Sequence, residues 1–169
     1  MMKGNTKKLS LAVLLESTVM NIAPVSAANT GNEYPLVFVH GLTGWGPDEM
    51  LGFKYWGGFD GTVEHLNNLG IESYASAVGP VSSNWDRAVE LYYYIKGGTV
   101  DYGAAHAQKE NHERYGKTYP GVYPQWDGQH KIHLIGHSMG GLTSRQLVDM
   151  LQDGSEEEKA YYAAHPEEG

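Results

Sequence analysis

The sequence predicts an α/β fold built on a parallel sheet. Two short apolar runs, at 35–39 and 132–135, and a further strand candidate at 71–76 have the length of strands, and stretches of helical periodicity separate them. Strands joined through helices pair in parallel, because a crossover of that length is not a hairpin. The third observation is Gly136-His137-Ser138-Met139-Gly140, which follows the last strand and opens a helix.

From the N-terminus, Lys3, Lys7 and Lys8 precede the apolar Leu9-Ser10-Leu11-Ala12-Val13-Leu14-Leu15, and Val25-Ser26-Ala27 supplies the small residues of a cleavage site before Ala28. This is the pattern of a secretory signal peptide over 1–27, although Glu16 interrupts it. The apolar segment is too short to anchor in a bilayer. Residues 28–169 are then expected to form part of a single domain, opening on a polar linker at 28–34.

Pro35-Leu36-Val37-Phe38-Val39 reads as a strand buried on both faces and ends at His40-Gly41. A glycine-rich loop over 41–61 carries Trp45, Phe53, Tyr55, Trp56 and Phe59, and a loop this long is more often functional than accidental. A short helix from Thr62 stops at Gly70, and the second strand follows. Ser83 or a neighbour caps a helix whose apolar stripe is Trp85, Ala88, Val89 and Tyr92, stopped by Gly97-Gly98. Residues 97–130 are expected to be irregular. The last strand leads into a helix with Leu147, Val148 and Leu151 as its buried stripe and Gly154 as its stop. Ser155 with Glu158 makes a capping box for a final helix.

Composition narrows the function. The formal net charge is −8 over 169 residues, which excludes the lysine- and arginine-rich surface that holds nucleic acid. There is no cysteine, so neither a disulfide scaffold nor a thiolate metal site is available.

The serine pentapeptide carries the chemistry. A strand, a sharp turn and a helix, with glycines on either side of the turn, present Ser138 as an exposed nucleophile. The turn strains the backbone at the serine, and a side chain at Gly136 or Gly140 would collide across it. Acyl transfer by serine needs two N–H donors for the developing oxyanion. One is expected from Met139, which follows the nucleophile. The other is expected from Leu42, in the loop after an earlier strand.

Longer blocks carry a family resemblance. They are His40-Gly41-Leu42-Thr43-Gly44-Trp45-Gly46, Phe53-Lys54-Tyr55-Trp56-Gly57-Gly58, Val78-Gly79-Pro80, Ser82-Ser83-Asn84-Trp85-Asp86-Arg87-Ala88 and Val100-Asp101-Tyr102-Gly103-Ala104-Ala105-His106. With the serine pentapeptide, they resemble the thermoalkalophilic bacterial lipases and their staphylococcal relatives from about Pro35 onward. The resemblance implies a secreted, extracellular α/β-hydrolase acting on triacylglycerols and short-chain esters at a lipid–water interface. Ser138 would be the nucleophile, with Leu42 and Met139 as oxyanion donors. It further implies the N-terminal portion of such a lipase, an incomplete α/β-hydrolase fold running through the nucleophile turn.

The same family holds a structural zinc with two aspartates and two histidines. By resemblance, Asp86, His106 and His112 fall on three of those ligands. From the residues alone, Asp86 is better explained as a first-turn carboxylate facing the helix dipole, and the two histidines as solvated loop residues. The other histidines have plainer readings. His133 is expected in the core within its strand, His137 shapes the turn, and His65 and His130 are exposed. Tyr92-Tyr93-Tyr94 is expected to be helix packing.

In an α/β-hydrolase the acid and the base follow the serine along the chain. Here the only histidine after Ser138 is His165 and the only aspartates are Asp149 and Asp153, while Glu156, Glu157 and Glu158 open the last helix, all of them on helices or in polar chain. Two functions follow: a serine ester hydrolase whose acid and base lie elsewhere, or a catalytically inactive product that acts as a lipid-surface interaction module.

Overall fold

The computed structural model describes residues 33–168, so the signal peptide expected at 1–27 lies outside the described residues. In chain order the elements are β1 (Leu36–Val39), α1 (Thr62–Asn68), β2 (Ser73–Ala75), α2 (Asn84–Lys96), β3 (Gly98–Asp101), α3 (Ala104–Glu110), β4 (Tyr115–Tyr119), β5 (His133–Gly136), α4 (Met139–Asp153) and α5 (Glu156–Ala164), before a 3-10 turn at Pro166–Glu168.

β1 is the middle strand of a parallel sheet of order β2-β1-β5, with Leu36 opposite both Ser73 and His133 and Val39 opposite Gly136. Strand alternation sends Val37 and Val39 to one face, where they join Ala88, Leu91 and Ile95 of α2 and Leu147 of α4 in the main core. Each fully buried aliphatic side chain there contributes about 1.5–3 kcal/mol. Phe38 points the other way and meets Trp56 edge-on, with ring centroids 5.0 Å apart. The aromatic loop after β1 thus covers the second face.

α2 starts where Ser83 Oγ accepts the N–H of Asp86 at 3.1 Å and ends at Gly97 with φ 87°. Its buried set differs from the predicted stripe: Arg87, Ala88, Val89, Glu90, Leu91 and Ile95 are inside. The helix is covered on two sides, by the sheet with α4 and by a second cluster of Val89, Val100 and Tyr119.

That second cluster comes from a segment expected to be irregular. Within 97–130, β3 and β4 pair antiparallel, with Gly98 opposite Tyr119, and α3 lies between them. Only Val100 and Tyr119 of this hairpin are buried, so its strands show no apolar alternation to read.

α4 also departs from expectation. Gly140, Thr143 and Leu147 form its buried line, while Val148 is 43% and Leu151 51% exposed. Gly140 sets the rotation: a Cβ there would stand 2.0 Å from the carbonyl oxygen of Val39, so this face alone can lie on β1. His133 is exposed rather than in the core, with its ring against Tyr34 at 5.8 Å. Among the described residues β5 pairs on one side only.

The capping box is half formed. Ser155 Oγ accepts the N–H of Glu158 at 3.2 Å, but the Glu158 carboxylate turns outward to accept from Ala105 N–H at 3.2 Å and His106 N–H at 2.8 Å. The N-cap of α3 is Gly103, which has no side chain to offer, and the acid of α5 takes its place.

Candidate active site

β5 delivers the chain to Ser138 and α4 carries it away. Ser138 has φ 54° and ψ −125°, a conformation that L residues rarely adopt, so the strained turn expected at this position is present. The flanking glycines are required by space. A Cβ at Gly136 would lie 2.5 Å from the amide nitrogen of Gly141.

The loop after β1 comes against this turn. A Cβ at Gly41 would stand 2.9 Å from the Cβ of Ser138 and 3.1 Å from the carbonyl oxygen of His137. Glycine is what lets the two backbones meet, and Leu42 follows directly.

The amides nearby are nearly all engaged. Gly41 N–H donates to the hydroxyl of Tyr55 at 3.1 Å. Thr43 N–H goes to the carbonyl of Pro80 at 2.7 Å, and Gly44 N–H to Gly41 at 3.1 Å. Across the gap, Gly140 N–H goes to His137 at 2.9 Å and Gly141 N–H to Ser138 at 3.0 Å. Among the described residues none accepts from Leu42 N–H or Met139 N–H. The two amides expected to hold an oxyanion are therefore among the open ones, on the two segments that meet at Gly41 and Ser138.

Two buried groups brace the loop. His40 is fully buried with Nδ1 2.9 Å from the Gly41 carbonyl. Burial, helped by the nearby Arg87 charge, outweighs that hydrogen bond and pushes the His40 pKa below its ordinary 6.5. Arg87 is also fully buried, and its Nη2 donates to the His40 carbonyl at 2.5 Å. Burial pulls its pKa below the usual arginine value, with Glu90 acting in opposition. From the other side the Tyr55 hydroxyl, already holding Gly41, meets Nδ1 of His137 at 2.7 Å.

His165 and the late carboxylates stand apart from this arrangement. The His165 ring stacks on Tyr161 at 4.3 Å, and its Nδ1 lies 2.9 Å from the Tyr161 carbonyl, on α5 itself. Asp149 and Asp153 lie on α4.

Away from the serine, Asp86 of α2, His106 of α3 and His112 just after α3 converge. Asp86 Oδ1 is 3.0 Å from His106 Nε2 and 3.6 Å from His112 Nε2, and this cluster could hold a metal ion. The donor set suits such an ion: one carboxylate and two imidazoles are ordinary ligands for a borderline divalent cation. The rings are also oriented from behind. His106 stacks on Trp85 at 4.8 Å, and His112 Nδ1 meets the Glu113 carbonyl at 2.8 Å, which leaves Nε2 facing the cluster.

Tyr55 and Arg87 have no assigned role in the sequence reading. For Arg87 a signal exists: it stands at i, i+4, i+8 with Leu91 and Ile95, and a cation on a buried stripe is a group that the interior must use. For Tyr55 no local signal separates it from the other loop aromatics.

A parallel sheet, a strained serine at the head of a helix and a glycine loop packed against it define an α/β protein of the lipase and esterase kind. Residues 32–169 match the family described as "Lipase-like, C-terminal domain", and the chain belongs to that family. It is 53% identical over 137 residues to Lipase 2 of Staphylococcus aureus, covering 79% of this chain and 20% of that protein. Among solved structures it is similar to EstA from Clostridium botulinum, with 63% identity and TM-score 0.74 over 75% of this chain and 30% of that one. It is also similar to Staphylococcus hyicus lipase, with 52% identity and TM-score 0.76 over 79% of this chain and 35% of that one. The chain thus spans about a fifth of the length of the curated relative and about a third of the solved ones.

The family corrects one expectation. The staphylococcal relationship holds, but the matching domain is a C-terminal one, so neither an N-terminal portion of a lipase nor a fold defined as its N-terminal strands describes this chain. Strand order places an element within its domain. It carries no information on what stands before that domain in proteins several times longer.

Proposed function

We propose that this chain carries the nucleophile and oxyanion site of a secreted serine ester hydrolase acting on triacylglycerols or shorter esters at a lipid–water interface. The observation that carries the proposal is the approach of Gly41 to Ser138, which sets two open amides, Leu42 and Met139, beside a strained serine. Ser138 Oγ attacks the ester carbonyl, and the oxyanion of the tetrahedral intermediate rests on the N–H groups of Leu42 and Met139. The alcohol leaves and water releases the acid from the acyl-enzyme. The general base and its acid partner are assigned to none of the described residues, since His165 is held by Tyr161 on α5. Relatives named as lipases and an esterase support the substrate class. Residues 1–27 are proposed as the export signal and 28–169 as part of one hydrolase domain.

Asp86, His106 and His112 are proposed to hold a structural zinc. Bound there, the ion would tie α2 to the α3 segment and would supply no step of the hydrolysis.

Hydrolysis of a p-nitrophenyl ester by the purified protein tests the main proposal. Activity lost in Ser138→Ala supports it. Activity that survives Ser138→Ala overturns it.

A further inference from the structure

Arg87 does more than neutralise an interior. Nη2 donates to the His40 carbonyl at 2.5 Å, Nη1 to the Gly79 carbonyl at 2.5 Å and Nε to Thr143 Oγ1 at 3.0 Å. Thr143 is itself fully buried on α4, and its hydroxyl lies 3.1 Å from the Met139 carbonyl, which accepts from it. One hydrogen-bonded path therefore runs from the carbonyl of His40, through Arg87 and Thr143, to the carbonyl of Met139. Its ends are the two backbone segments that carry the open amides of Leu42 and Met139.

A guanidinium with no solvent exposure is costly, and a leucine would fill the same stripe position without that cost. What the guanidinium offers is a rigid planar fork that meets three acceptors at once, a geometry that an ammonium on a flexible stem lacks. We propose that Arg87 and Thr143 are positioning residues that fix the separation of the Leu42 and Met139 N–H groups, and so the geometry of the oxyanion site. This rests on the proposed role of Ser138 as nucleophile. Donors aimed at an oxyanion act in the transition state, so misplacing one by about 1 Å costs roughly 100-fold in turnover and little in substrate binding.

The variants Arg87→Lys and Thr143→Val test the brace, and Thr143→Val is the milder change should Arg87→Lys fold poorly. In ester hydrolysis kcat falls about 10- to 100-fold in each, with KM within about twofold. The double variant is no worse than the weaker single one, because both break one path. A second readout needs no catalysis. Exchange of the Thr43 and Gly44 amides, which pin the loop, accelerates about tenfold more than that of Leu36, whose N–H is held by Glu72 in the sheet. Equal acceleration at all three amides, or unchanged kcat, means that Arg87 and Thr143 serve stability alone and overturns the proposal. Should Ser138→Ala leave hydrolysis intact, the reading of Ser138 falls; in that case, or where the chain hydrolyses no ester, the exchange comparison decides the brace by itself.

Discussion

Glu158 caps a helix other than its own. Its carboxylate takes the backbone N–H of His106 at 2.8 Å, some fifty residues earlier in the chain, and so joins α5 to the helix that brings His106 to Asp86 and His112. A carboxylate at a helix N-terminus satisfies orphan donors and faces the positive end of the dipole. Replacing Glu158 with Ala is expected to destabilise the protein by about 1–2 kcal/mol. Zinc affinity should fall with it, because α3 loses the cap that orients His106. Urea denaturation and zinc titration by calorimetry check the two effects, and an unchanged denaturation midpoint would refute the cap.

Ser138 holds a backbone conformation natural only to glycine. The strain costs about 1–3 kcal/mol, and glycine removes it at the expense of unfolded-state entropy. Ser138→Gly is therefore expected to raise stability by roughly 1 kcal/mol while abolishing hydrolysis. A variant that is less stable than the parent in thermal unfolding would show that the turn is not under strain.

Tyr55 links Gly41 to His137 through one hydroxyl. Tyr55→Phe keeps the ring packing against Trp45 and Trp56 and removes only the oxygen. Gly41 N–H is then freed to compete with Leu42 for the oxyanion, and the loop loses its tie. We expect stability to fall by about 1 kcal/mol and kcat to fall by roughly tenfold. Steady-state kinetics with KM held constant is the check, and an unaffected kcat would dissociate the tie from catalysis.

Asp101 and Arg114 form a two-pronged pair at 2.9 and 2.8 Å, and Gly103 N–H adds a third bond at 3.0 Å. Burial by itself would raise the Asp101 pKa, but the hydrogen bonds from Arg114 and Gly103 prevail and hold it below the ordinary 3.8. A carboxylate with a depressed folded pKa stabilises fully above its unfolded value and loses that contribution as pH falls through the folded one. Asp101→Asn is thus expected to cost about 1 kcal/mol at neutral pH. The gap from the parent should close only below about pH 4. Denaturation curves over that range decide it, and a gap that persists in acid would assign the effect to packing.

The sheet was legible because β1 and β5 lie in short apolar runs closed by glycine, with a strand candidate after Gly70 between them, and the helices because Ser83, Gly97 and Gly154 punctuate them. The β3–β4 hairpin was not, since only Val100 and Tyr119 turn inward and no alternation results. Helix faces were misjudged where packing is not purely apolar. Glu90 is buried with its carboxylate on Gly79 N–H and the Tyr102 hydroxyl, and a periodicity of hydrophobic residues has no place for it. On α4 the approach of Gly140 to β1 chose the inner face, against the pull of Val148 and Leu151. The serine turn was readable from spacing, and the convergence of Asp86, His106 and His112 from the resemblance alone. The groups that hold the loop in place were not, because Arg87, Thr143 and Tyr55 act on backbone atoms far away in sequence.

The bridge through Tyr55 also joins two stretches of chain nearly a hundred residues apart. Gly41 N–H donates to the phenol oxygen, and Nδ1 of His137 lies 2.7 Å from the same atom. The side chain next to Ser138 in sequence is thereby turned toward the loop after β1, so one tyrosine oxygen ties the serine turn to the segment that packs against it.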